Sequence, residues 1–210
     1  DGFVKETACT TVSASGLPGV QLEAALEALI HYPYGCVEQT SSQLRSLLYA
    51  GQILGKDRAE VADAMAKAGI ARLWGMQTRS GGLSYWPGST EASVWGTAYA
   101  AFCLLEASEA GCSVDTGLTL PLATYLDKQL RVKGDEEVDN NTKALFCRVL
   151  AKYGKMPIGW MTRLAEQPET LDMAGQAHLA AAFFAAGRRD QALSLLPKRL
   201  SDKSATTSTR

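Results

Sequence analysis

Histidine is the scarcest chemical resource in this chain: His31 and His178 are the only two in 210 residues. Two isolated imidazoles supply neither a catalytic triad nor the His-containing ligand set of a metal site. Cysteine is sparse as well. Cys9, Cys36, Cys103, Cys112 and Cys147 show none of the paired spacings of zinc sites or small disulfide frameworks. Charge of one sign is missing, since a formal net charge of -1 makes no general electrostatic case for nucleic acid or an anionic membrane as partner. Long hydrophobic runs are missing too. The longest, Ala177 to Ala186, falls far short of the roughly 20 residues needed to cross a bilayer, so no membrane span is expected. A Walker loop, a dinucleotide-binding glycine fingerprint and a His-Glu-x-x-His metal motif are all absent. The opening Asp1-Gly2-Phe3-Val4-Lys5-Glu6 has no signal-peptide character, and the chain reads as an excerpt of a longer protein.

What is present is helix. With 46% hydrophobic residues the chain can build one domain with a substantial core. Residues 1–19, Thr- and Ser-rich before Gly16-Leu17-Pro18-Gly19, read as an extended lead-in from a preceding domain, and residues 20–200 as the domain itself. The polar residues 201–210 read as a disordered tail. Leu22, Ala25, Leu26, Leu29 and Ile30 keep helical spacing until Pro33 stops that helix. A second helix is expected from Cys36 through Leu44 and Leu48 to Gly55. A third is expected to open on an Asp57/Glu60 capping box, a fourth to run from Val94 to Gly111, a fifth to start at Thr119 before Pro121, and a sixth to end at Gly154. Shorter patterns cover Ile158 to Ala165, Met173 to Ala186 and Gln191 to Leu196.

Three of these helices end in apolar residues followed by Gly111, Gly154 and Gly187, glycines 43 and 33 residues apart. That is the period of repeated helical hairpins, so an all-α fold of stacked or ring-closed helix pairs is expected. Cys103 and Cys147 lie among core-type residues and read as small buried apolar side chains. An odd number of thiols leaves at least one outside any intrachain disulfide set, and Cys36 is the natural candidate.

Cys36 is also the most informative residue. In Tyr32-Pro33-Tyr34-Gly35-Cys36-Val37-Glu38-Gln39 a thiol and a carboxamide stand three residues apart where an amphipathic helix begins, and positions i and i+3 share a helix face. The sulfur can reach the Gln39 side-chain carbonyl. If it attacks and ammonia leaves, the product is an internal thioester, a stored acylating agent. The plainer alternative is a free cysteine at a helix start, its acidity altered by the helix dipole.

At these residues the chain resembles the thioester domain of the alpha-2-macroglobulin and complement family, whose motif is Cys-x-Glu-Gln. The flanking Tyr-Pro-Tyr-Gly and Thr40-Ser41-Ser42, with Val37 where animal members usually carry glycine, are similar to the bacterial branch. A second stretch, Gln77, Gly81-Gly82, Tyr85-Trp86-Pro87-Gly88 and Trp95-Gly96-Thr97-Ala98-Tyr99, follows the family order of a glycine turn with aromatics before a Trp-x-Thr-Ala-Tyr helix. The resemblance implies an α/α toroid of the terpenoid cyclase/prenyltransferase type, abbreviated here. It implies a Cys36 to Gln39 thioester, with Glu38 belonging to the motif, and no cofactor.

The implied activity is stoichiometric inhibition rather than enzymatic turnover. A lysine amine of a trapped protease takes the Gln39 acyl group and frees the Cys36 thiol. The partners implied are captured proteases and the other domains of a larger macroglobulin chain, exported to the periplasm or cell envelope. A variant of the same chemistry is covalent attachment to a surface, as in opsonins and adhesins. Tyr32 and Tyr34 are placed by sequence to shield the bond, or simply to pack helices. By family analogy Asn140 or Asn141 selects amine acceptors, against the plain reading that both belong to a helix cap. His31 reads as a helix-end residue and His178 as filler among alanines. Trp74, Trp86, Trp95 and Tyr99 read as helix-packing aromatics before ligand-binding ones. The reading from another class is a toroidal enzyme, a terpenoid cyclase or prenyltransferase, partly supported by the Gln77 and Gly81 spacing. The acidic run Asp135-Glu136-Glu137 looks more like a solvated loop than a cyclase proton donor, and zinc ligands for a prenyltransferase are wanting.

Overall fold

Among the described residues, helix follows helix wherever the apolar pattern runs. The computed structural model describes residues 35–49, 56–133 and 138–196. Within them α1 spans Val37–Leu47, α2 Lys56–Gly75, α3 Val94–Glu109, α4 Thr116–Gln129, α5 Asn140–Lys152, α6 Ile158–Ala165, α7 Met173–Ala185 and α8 Arg189–Leu195, with a 3-10 turn at Pro168–Thr170. Among the described residues β pairing is limited to two isolated bridges, Gln77 with Leu83 and Ser84 with Ala92. The expected all-α class is what the chain adopts. The lead-in, the helix expected over Leu22 to Ile30, Cys9, His31, Tyr32, Tyr34, the run Gly134 to Glu137 and the tail lie outside the described residues.

Contacts between helices fall into two rows. Helix α1 packs on α3, α3 on α5 and α5 on α7, while α2 lies against α1, α4 against α3 and α5, α6 against α5 and α7, and α8 against α7. One apolar cluster, including Leu44, Leu73, Leu104, Leu122 and Phe146, runs from α1 to α5. A second, with Cys147, Met161, Leu179 and Phe183, joins α5 to α8. Helix α5 therefore presents one face to each cluster, which is how consecutive pairs share a continuous core.

The repeated glycine endings are three copies of one cap. Gly111, Gly154 and Gly187 have φ of +94°, +76° and +75°. The next residue in each case donates back to the helix: Cys112 N–H to the Ala107 carbonyl at 2.9 Å, Lys155 N–H to Leu150 at 2.9 Å and Arg188 N–H to Phe183 at 2.9 Å. This is the Schellman arrangement, which needs a left-handed residue and so favours glycine.

Boundaries differ in three places. Helix α1 closes at Leu47, with Leu48 as its C-cap, short of Gly55. Asp57 lies inside α2, whose span already includes Lys56. Helix α4 begins at Thr116 rather than Thr119, because the Asp115 carboxylate accepts from Gly117 N–H at 2.6 Å and caps it a turn earlier. Pro121 thus occupies the sixth helical position and forfeits a backbone bond there. Gln77 Nε2 donates to the Leu118 carbonyl at 3.0 Å alongside it. Aromatic packing differs as well: Trp74, Trp86 and Trp95 are about half exposed, because small residues such as Ala98, Ala101 and Ala123 let the helices meet without them. Cys103 and Cys147 are fully buried, as expected, and burial pushes both thiols up to about 12.

Candidate functional site

Cys36 is the N-cap of α1. Its backbone is extended, with φ -68° and ψ 170°, and a reciprocal pair of hydrogen bonds closes the first turn. Gln39 N–H donates to Cys36 Sγ at 3.4 Å, and Cys36 N–H donates to Gln39 Oε1 at 3.2 Å. This is a capping box in which thiol and carboxamide replace the usual hydroxyl and carboxylate. Both reactive side chains are thereby folded across the same helix end. Cys36 is 2% exposed, Gln39 is half-buried and Glu38 points to solvent.

Three segments distant in sequence hold this turn. From α2, Arg72 donates through Nε and a terminal nitrogen to the Gly35 carbonyl, at 3.3 and 3.1 Å. From α3, Gly96 lies so near Val37 that an added Cβ would stand 2.5 Å from a Val37 methyl. The third is the loop between α2 and α3. Ser84 N–H donates to the Met76 carbonyl at 2.9 Å and Ser93 N–H to Leu83 at 2.8 Å, while Leu83 N–H donates to Thr97 Oγ1 at 2.8 Å. So pinned, the loop places the Tyr85 carbonyl 2.9 Å from Val37 N–H, one of the donors a helix start leaves without an intrahelical partner. The Tyr85 hydroxyl donates to Glu38 Oε2 at 3.1 Å.

Within α1 itself, Ser41 Oγ donates to the Val37 carbonyl at 2.6 Å and Ser42 Oγ shares a hydrogen bond with the Tyr99 hydroxyl at 3.0 Å. The Tyr99 ring stacks on Trp95, centroids 5.2 Å apart.

The motif residues Cys36, Glu38 and Gln39 thus come together at one helix end. Asn140 and Asn141 are engaged elsewhere, at the start of α5. Asn140 Nδ2 donates to Thr170 Oγ1 at 2.9 Å, and Asn141 Oδ1 accepts from Asp172 N–H at 2.9 Å, joining α5 to the turn before α7. His178 lies edge-on to Phe102, centroids 5.5 Å apart, and shares a hydrogen bond with Arg148 at 3.2 Å. Burial first and Arg148 second push its pKa down to about 4, so it is neutral near pH 7. Sequence spacing does not mark Tyr85 or Arg72 as site residues, since both act across more than 30 positions. The Tyr85-Trp86-Pro87-Gly88 stretch was the only hint. Among the described residues no three potential metal-ligating side chains cluster, and no helix is long and apolar enough to cross a membrane.

No protein-family model matches the chain. It is 39% identical over 167 residues to alpha-2-macroglobulin of Escherichia coli K12, a match covering 72% of this chain and 10% of that protein. Its structure is similar to the crystal structure of native E. coli alpha-2-macroglobulin from domain MG7 to the C-terminus, with a TM-score of 0.72 and 28% identity over 90% of this chain and 33% of that one. It is also similar to Salmonella alpha-2-macroglobulin reacted with methylamine, with a TM-score of 0.71 and 27% identity over 86% of this chain and 13% of that one. The chain spans about a tenth of the length of its full-length relative.

Proposed function

This chain is homologous to bacterial alpha-2-macroglobulin, and from that premise we propose that residues 35–39 carry the internal thioester of a larger protein that traps proteases covalently. The observation that carries the reading is the capping box, because the hydrogen bonds at 3.4 and 3.2 Å hold the Cys36 sulfur and the Gln39 carboxamide across one helical turn. The bond forms when Sγ attacks the Gln39 Cδ and ammonia departs. It is spent when a lysine amine attacks the same carbon, giving an amide and a free Cys36 thiol. Cys36 N–H already donates to the Gln39 oxygen, the atom on which negative charge grows as the carbonyl carbon becomes tetrahedral. Burial of Cys36 suits a bond that must be kept from water until it is used.

The Salmonella relative has been captured after reaction with methylamine, a small amine of the class this chemistry consumes. The trap is stoichiometric, since each crosslink consumes its own acyl group. It acts within a longer chain in the periplasm or cell envelope, whose other domains supply the bait. The two rows of helices are read as an arc of an α/α toroid. An acceptor-selecting role for Asn140 or Asn141 belongs to this proposal, and Asn140→Ala or Asn141→Ala should then shift the ratio of amine to hydroxyl capture.

The deciding experiment is intact mass before and after methylamine, with thiol titration under non-reducing conditions. A mass short by one ammonia, then one methylamine gained and one thiol released, supports the thioester. A full carboxamide mass with free Cys36 and no methylamine uptake overturns it.

A further inference from the structure

Resting on the thioester reading above, we propose that Arg72 is a positioning residue for formation of the bond, acting on the Gln39 carbonyl through the peptide group between Gly35 and Cys36. That one peptide carries both contacts. Its carbonyl, from Gly35, accepts from Arg72 Nε at 3.3 Å and from a terminal guanidinium nitrogen at 3.1 Å. Its N–H, from Cys36, donates to Gln39 Oε1 at 3.2 Å. A cation, a peptide and the carboxamide to be attacked are therefore joined in a single hydrogen-bonded line.

Each link strengthens the next. The nitrogen and carbonyl of a peptide share electrons by resonance, so a guanidinium held on the oxygen draws density away from the nitrogen and makes the N–H a better donor. The seat for that guanidinium is shaped by an absent side chain. Gly35 is buried, and a Cβ added to it would overlap the Arg72 guanidinium. From the other side, Arg72 reaches in from the last turn of α2, where its neighbour Leu73 is fully buried and anchors the helix.

The step begins from the groups the structure shows, a thiol and a carboxamide. Sγ bonds to Gln39 Cδ, and the carbonyl pair moves onto Oε1, where the Cys36 N–H meets the growing negative charge. The carbonyl then re-forms, the Cδ–Nε2 bond breaks with its pair going to nitrogen, and the thiol proton passes to that nitrogen. The products are the thioester and ammonia. Arg72 exchanges no proton and ends as it began. Removing an oxyanion donor outright costs about 100- to 1,000-fold, whereas Arg72 only sharpens one and itself faces solvent, so its loss should slow formation about 10-fold.

The test follows bond formation in the full-length protein made by cell-free synthesis. Samples are quenched at intervals with excess methylamine, unfolded and digested, and the share of residue 39 still present as carboxamide is read by peptide mass. Arg72→Met, which keeps the stem without the charge, should lose carboxamide about 10-fold more slowly than wild type. Arg72→Lys, which keeps a positive charge and a donor, should recover most of the rate. Gly35→Ala leaves Arg72 charged but lifts it off the carbonyl, and should be slowed about as much as Arg72→Met. Formation at the wild-type rate in Arg72→Met overturns the proposal. So does an Arg72→Lys as slow as Arg72→Met, since that is the behaviour of a structural clamp whose charge is immaterial. Should Arg72→Met fail to fold, Gly35→Ala forming the bond at the wild-type rate overturns the proposal instead. Failure of the thioester reading itself is separate, because residue 39 of the wild type would then remain a carboxamide throughout.

Discussion

Helices α1 and α5 start with the same topology and very different chemistry. At α5 the Asp139 carboxylate accepts from Asn141 N–H at 2.8 Å, Thr142 N–H at 3.0 Å and Thr142 Oγ1 at 2.6 Å. Partial burial works against its ionisation, but the hydrogen bonds from Thr142 and Asn141 outweigh it and hold the carboxyl below its usual range. At α1 the cap is a sulfur accepting one N–H at 3.4 Å, and sulfur is a weak acceptor. A helix start selected for stability would carry Asp, Ser or Thr. The α1 start gives up cap strength for a thiol set against a carboxamide, and recovers order from Arg72, Tyr85 and Gly96 around it. The Asp139 cap is closed by its own first turn, whereas the turn at Cys36 leans on Arg72, Tyr85 and Gly96.

The sharpest way to break the comparison is to exchange what each cap supplies. Cys36→Ala should abolish ammonia loss and covalent capture completely, with far-UV circular dichroism unchanged, whereas Asp139→Ala should leave capture untouched. Intact mass with methylamine reads both, and capture surviving in Cys36→Ala would sink the proposed chemistry. Next in size is Gly96→Ala. Its Cβ would lie 2.5 Å from a Val37 methyl and 2.9 Å from Ser93 Oγ, so α1 and α3 must separate. We expect about 1–3 kcal/mol of destabilisation, read as a lower urea midpoint, and faster spontaneous loss of the thioester as the turn loosens. An unchanged midpoint would mean that the close approach of α3 is not what holds the α1 start.

What the sequence makes legible follows the same division. The cap at Cys36, the reciprocal Gln39, the three glycine caps and the span of α6 are local, set by residues within a turn of one another. Tyr85, 47 positions from Glu38, and Arg72, 37 from Gly35, meet the site only through tertiary packing, and no spacing rule reaches them. Asn140 and Asn141 show the converse limit. Family analogy marked them for acceptor choice and local propensity marked them for a cap, and their bonds to Thr170 and Asp172 join α5 to the approach to α7. Pro121 misled in a simpler way, since its first-turn preference was weaker than the Asp115 cap six residues earlier.

Stability should separate the two caps by a smaller margin. Asp139→Ala should cost about 1–2 kcal/mol, because it removes the acceptor of two backbone donors. Cys36→Ser, in protein without the thioester, should be neutral or stabilising by up to about 1 kcal/mol, a hydroxyl being the better cap. Paired urea melts decide it. If Cys36→Ser destabilises as much as Asp139→Ala, the thiol is a structural element and the contrast between the two helix starts fails.

A further effect separates the two halves by pH. His178 binds a proton near 6.5 when unfolded but only at about 4 when folded, where burial and the nearby Arg148 oppose its charge. The unfolded chain therefore binds more protons between those values, and stability must rise with pH across that window. The contribution is whole above about 6.5 and is lost as pH falls toward 4. Asp139, with its carboxyl held low, loses its contribution only as pH falls further, below the ordinary carboxylate range. Helix α7, which carries His178, should thus loosen in mild acid before the α1 turn does. Amide hydrogen exchange at pH 7 and pH 4.5 resolves the order, with the rates corrected for intrinsic pH dependence. His178→Gln should flatten the change in α7 while leaving α1 as it was. Equal loosening of both helices in wild type would show that the core running from α1 to α8 transmits the cost of that proton rather than confining it.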